Sequence, residues 1–99
     1  MTIEFGKISQ EALNRFPGLL YQWFPDGRVK GIEFVARNPR RDDRNIGSFS
    51  VNISSGRWCD FATGDKGGDP ISLYAFVRGI GQGAAAYELA REMGVWNGG

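Results

Sequence analysis

Three stretches of the chain carry residues able to do chemistry. In "RNPRRDDRN" (37–45), Arg37, Arg40, Arg41 and Arg44 crowd together beside Asn38 and Asn45. Guanidinium forks match the oxygen geometry of phosphate, and several on one loop can hold a nucleic-acid backbone. The same run holds Asp42 and Asp43, so the alternative is a solvated loop in which acids and bases pair internally. The second stretch, "GDKGGD" (64–69), precedes a helix start, where backbone N–H groups can bind an anion. No Gly-Lys-Ser/Thr follows its glycines, and Asp65 and Asp69 would oppose a phosphate. The reading of this loop is a turn that needs positive φ, capped by Asp69. The third is "RWCDFA" (57–62), which places Trp58 and Phe61 near Phe49 on adjacent strands. Aromatics exposed on a sheet beside basic residues stack single-stranded bases. Phe49 shares a face with Val51 and Ile53 and is expected to be buried. Trp58, next to Arg57, is the ring expected to be exposed, and Cys59 is expected inside as a small strand hydrophobe. Asp60, Asp65 and Asp69 match no calcium-loop spacing and are expected to serve as caps and turns.

The totals set limits. The chain has 99 residues, one cysteine and no histidine. That length makes one domain, with a modest core. A single cysteine forms no intrachain disulfide, a structural zinc needs about four Cys or His ligands, and imidazole catalysis is impossible. No cofactor or metal is expected. No apolar run approaches the length needed to span a membrane, and "MTIEFGKISQ" lacks the layout of a signal peptide, so the expected setting is cytoplasmic. The net charge of +1 is uneven: residues 28–44 hold six basic and three acidic side chains, leaving the remainder at −2. Such a segment points one surface at a polyanion.

The elements that must position these residues follow from pattern. In the N-terminal helical segment (1–27), Ser9 reads as the cap of a short helix, "QEALNRF", that ends by Pro17. "GLLYQWF" (18–24) reads as a second short helix before the Pro25-Asp26-Gly27 turn. Arg28 to Ala36 reads as one strand, with Ile32, Phe34 and Ala36 on one face. "SFSVNIS" (48–54) alternates cleanly, and Ser55-Gly56 is a hairpin signal before the partner strand. The sheet over 28–62 is therefore antiparallel, with about three strands. Asp69-Pro70 marks a helix start, "ISLYAFVR" (71–78) is apolar nearly all round, and Gly79 ends it. In the last helix (83–94), Ala86, Leu89, Ala90 and Met93 form the apolar stripe and Gly94 caps it. The expected fold is α+β over a single domain, 1–99, with two C-terminal helices in 69–94.

"GSFSV" (47–51), "GGDPISL" (67–73) and "AAAYELAREMGV" (84–95) stand in an order that resembles the N-terminal zinc-binding domain of bacterial and phage DNA primases. The likeness is nearest to the degenerate versions that begin primase–helicase proteins of phages, plasmids and integrated elements. It implies a zinc-ribbon-like sheet and a non-catalytic, template-recognising role in the primosome during DNA replication. Single-stranded DNA would be the partner, together with a primase catalytic or helicase domain. The chain departs from the family at both knuckles: "ARNP" (36–39) and "CDFATGD" (59–65) stand where Cys and His ligands would be, and only Cys59 remains. The resemblance thus implies the fold and the DNA-facing role without the metal. The zinc energy, roughly 10 kcal/mol or more in zinc peptides, would be offset by packing, for which Trp58, Phe61 and "LLYQWF" are the candidates.

On this reading Arg37, Arg40, Arg41 and Arg44 contact phosphates, Trp58 stacks a base, and Arg57 and Lys66 flank it. Two other readings are open. One is a protein-interaction module that docks through an exposed apolar patch at Leu19, Leu20, Trp23 and Phe24. The other is a small nucleotide-binding enzyme, which rests on the glycine loop alone. An Arg40→Ala/Arg41→Ala double variant is expected to bind single-stranded DNA more weakly and with a flatter salt dependence, measured by fluorescence anisotropy. Unchanged affinity would remove that loop from the site.

Overall fold

A computed structural model describes residues 4–37 and 48–95. In it, α1 (Phe5–Asn14) and α2 (Gly18–Trp23) precede five strands: β1 (Arg28–Lys30), β2 (Glu33–Ala36), β3 (Phe49–Asn52), β4 (Trp58–Asp60) and β5 (Lys66–Gly67). Helices α3 (Pro70–Arg78) and α4 (Gln82–Met93) follow. The fold is α+β. The sheet is a continuous antiparallel meander in the order β1-β2-β3-β4-β5, two strands more than the pattern implies.

Both extra strands have a local cause. The stretch 28–36 is a hairpin, because Lys30 pairs with Glu33 across a two-residue loop, Gly31-Ile32. Gly31 takes φ +63°, and a glycine at the first loop position suits such a tight turn. Ile32 therefore sits in the turn at 61% exposure, while Phe34 and Ala36 are buried as their alternation implies. The "GDKGGD" loop contains β5, whose Lys66 and Gly67 pair with Cys59 and Trp58. A side chain at Gly67 would run into the Trp58 indole and the Ser72 hydroxyl, so a strand can pass here only as glycine.

The helices pack on one face of the sheet. Register sets Val29, Phe34, Val51, Trp58 and Gly67 in one row on that face, with Ala36, Phe49 and Asp60 in the next. Leu20, Phe24 and Leu73 close over these rows. A second apolar cluster joins α1, α3 and α4 through Ile8, Ala12, Ile71, Tyr74 and the α4 stripe of Ala86, Leu89, Ala90 and Met93. Helix α3 serves both clusters, which is why it is apolar nearly all round. It starts in a capping box: Asp69 Oδ1 accepts from Ser72 N at 2.7 Å, and Pro70 takes the first turn. Gly79 and Gly94 close α3 and α4 in the left-handed conformation. Helix α1 begins at Phe5, four residues ahead of the expected Ser9 cap. Its i, i+4 pair Ile8 and Ala12 is buried, so the apolar stripe rather than the serine sets its start.

Leu19, Leu20 and Phe24 are buried and Trp23 is half-buried. The expected docking patch is therefore core. Trp23 Nε1 donates to Glu92 Oε1 at 3.2 Å. The same carboxylate holds the Tyr74 hydroxyl, and burial, that hydrogen bond and the Glu92 charge push the phenol up to about 12. A raised folded pKa stabilises the protonated form. The contribution is complete below the unfolded value near 10 and is lost as pH rises through 12. Denaturant titrations should show stability falling by roughly 2–3 kcal/mol from this group between pH 10 and 12. Tyr74→Phe should start lower at pH 8 and lack that component of the decline.

Candidate nucleic-acid interface

The opposite face of the sheet carries the polar chemistry. Strand pairing aligns Arg28, Val35, Ser50, Cys59 and Lys66 across it in one row. Lys30, Glu33 and Asn52 form the row on one side. On the other side, Phe61 N donates to Ser48 O at 2.8 Å just past the β3–β4 ladder, and alternation brings Arg37 to the same end. An open groove of about 730 Å³ runs along this face, lined by Glu33, Ser50, Asn52, Arg57, Cys59, Phe61 and Lys66 among others. Arg28, Lys30, Arg37, Arg57 and Lys66 are all exposed. Among the described strand and groove residues of this face, Glu33 is the carboxylate set against these five cations.

The two aromatic assignments are reversed. Trp58 is 6% exposed and Phe61 is 74% exposed. Trp58 stands opposite Val51 in the register, and Val51 faces the core, so the indole must as well. Its ring lies 5.6 Å from Phe49 and 4.8 Å from Phe76, centre to centre, and Nε1 donates to Ser72 Oγ at 3.0 Å. Trp58 is thus a core residue and cannot stack a base. Phe61 lies three residues on, on the other side of the pleat, and is the free aromatic plane beside the groove. The pairing register across the Ile53–Arg57 turn is the signal that would have separated them. Phe49 is buried as expected.

Of the other expected residues, Arg57 and Lys66 line the groove and Arg37 lies at its end. Arg40, Arg41 and Arg44 lie outside the described residues. Cys59 is half-buried rather than buried, between Ser50 and Lys66 on the polar face. Partial burial, then the charges of Glu33 and Asp60, push its thiol pKa up, against the opposing pull of Lys66. One thiol and no imidazole fall short of the roughly four Cys or His ligands of a structural zinc site. Among the described residues, no group of three or more Cys, His, Asp or Glu could hold a metal ion.

The carboxylates of the glycine loop serve the loop itself. Asp60 is buried, and its Oδ1 accepts from Ala62 N at 2.7 Å and Thr63 N at 3.3 Å. Thr63 Oγ1 donates to Asp65 Oδ2 at 2.9 Å. At Asp69 the carboxylate already takes the Ser72 N–H that a phosphate would need, so "GDKGGD" is not a phosphate cradle. Among the described residues no helix is long and apolar enough to cross a membrane. The chain matches no family model, no curated protein and no solved structure.

The reversal of the aromatics has a direct test. Trp58→Ala should cost about 3–5 kcal/mol of stability in denaturant unfolding, as large aromatic truncations in cores do. Phe61→Ala should change stability by no more than about 0.5 kcal/mol.

Proposed function

We propose that this chain is a non-catalytic module that binds single-stranded DNA on the polar face of its sheet, acting in a primase or primase–helicase. The observation that carries the reading is the groove, lined by exposed Phe61 with Arg57 and Lys66, on a sheet face turned away from the helices that also carries exposed Arg28, Lys30 and Arg37. Cations follow the phosphates and the ring stacks a base, a combination that tolerates any sequence and needs no metal. In the sequence, Arg40, Arg41 and Arg44 follow Arg37 within seven residues, and on this reading they add phosphate contacts. The primase likeness of the sequence adds the replication context and the partner, a catalytic or helicase domain. The chain does no chemistry on this reading and takes no cofactor. Burial of Leu19, Leu20 and Phe24 removes the feature that would have favoured a purely protein-docking module.

Fluorescence anisotropy of a labelled single-stranded oligonucleotide at about 50 and 200 mM salt tests it. Saturable binding that weakens steeply between the two is expected. Arg57→Ala and Lys66→Ala should each lower the salt slope by about one. Phe61→Ala should weaken binding by about 1–3 kcal/mol with the slope unchanged. Absence of binding at the lower salt overturns the proposal.

A further inference from the structure

The carboxylate in the groove is at odds with phosphate binding, and its surroundings give it a use. Glu33 and Asn52 are direct partners across the β2–β3 ladder, on the groove side. Ser50 Oγ donates to Glu33 Oε2 at 3.1 Å and so orients the carboxylate. Asn52 Oδ1 accepts from Ser54 N at 2.8 Å and Ser55 N at 2.9 Å. With its oxygen bound to the turn, Asn52 offers the groove its NH₂ group, a donor. Side by side, then, stand two carboxylate acceptors and one amide donor.

We propose that Glu33 and Asn52 read guanine in a single strand; this rests on the nucleic-acid reading of the groove. Guanine's Watson–Crick edge presents N2–H and N1–H as donors and O6 as an acceptor, the complement of this pair. Adenine and cytosine each give the carboxylate one donor and then set a ring acceptor against it. Thymine has two acceptors flanking its one donor. An unpaired acceptor facing the Glu33 charge is penalised, so selection acts by rejection as well as by attraction. The base that stacks on Phe61 is a different one. Phe61 is at the Ser48 end of β3 and Glu33 at the Asn52 end, four residues or roughly 13 Å along the strand. One base cannot meet both, and a neighbouring nucleotide reaches Glu33. Single strands leave this edge free for such contacts.

The test compares labelled oligothymidylate with the same strand carrying one central guanine, by anisotropy at about 50 mM salt. The guanine probe should bind about tenfold more tightly. Deoxyinosine, which lacks the N2 amine, should lose most of that gain. 7-Deazaguanine, which keeps the Watson–Crick edge, should retain it. Glu33→Gln should erase the preference of the guanine probe over oligothymidylate. Asn52→Asp keeps the oxygen that caps Ser54 and Ser55, turns the donor into an acceptor, and should also erase the preference. Equal affinity for the thymine and guanine probes, or preference for another base, overturns the guanine assignment and leaves strand binding standing. Failure of every probe to bind overturns the nucleic-acid reading and this proposal with it.

Discussion

The indole of Trp58 holds the two halves of the molecule together. Its N–H donates to Ser72 at the start of α3, and its ring packs against both Phe49 of the sheet and Phe76 of the helix. Ser72 is in turn the residue whose N–H and hydroxyl complete the Asp69 capping box. The register of β4, the start of α3 and the line of approach of β5 are thus fixed by one side chain. Because strand side chains alternate strictly, committing Trp58 to the core commits Cys59 to the other face, and Phe61 follows it outward. The polar groove is a consequence of where the indole goes.

The same arrangement holds β4, its loop and β5 on their path through several contacts. Here the tie is distributed. Asp60 gathers Ala62 and Thr63 N–H, Asp60 N donates to Asp65 O, and Gly67 lets β5 lie against the indole. A buried Trp contributes a few kcal/mol and a buried hydrogen bond about 1 kcal/mol, so several such contacts together fix this path. Distributed contacts also leave Cys59 without a structural duty, and it lies at the floor of the groove rather than inside the core.

The parts of this fold that could be read from sequence are those governed by local rules. The α4 stripe, the Asp69-Pro70 start, the Gly79 and Gly94 caps and the burial of Phe34, Ala36 and Phe49 depend on neighbours within a few positions. What could not be read depends on pairing between segments. Arg28 to Ala36 alternates acceptably as one strand, and only the Lys30–Glu33 pairing shows that Gly31 reverses it. Lys66-Gly67 has no strand signature and becomes β5 because β4 offers it an edge. Trp58 and Phe61 are both plausible core or surface rings by type, and the parity fixed by Val51 decides between them. Arg28, Lys30 and Arg37 were legible as part of a basic segment, and Arg57 and Lys66 as flanks of the aromatic stretch. That Arg57 and Lys66 share a groove with Phe61 was not, since it needs the register of the strands.

Charge on the polar face also bears on what kind of binder this groove can be. Five exposed cations on this face give an attractive field for a polyanion, and Glu33 weakens that field locally. A surface serving affinity alone would gain by replacing it. Under the proposed reading its position serves discrimination: Ser50 holds the carboxylate, Asn52 sits directly across from it, and all three line the groove. Specificity is a difference between partners, and a fixed charge that penalises the wrong base produces it at the cost of general affinity.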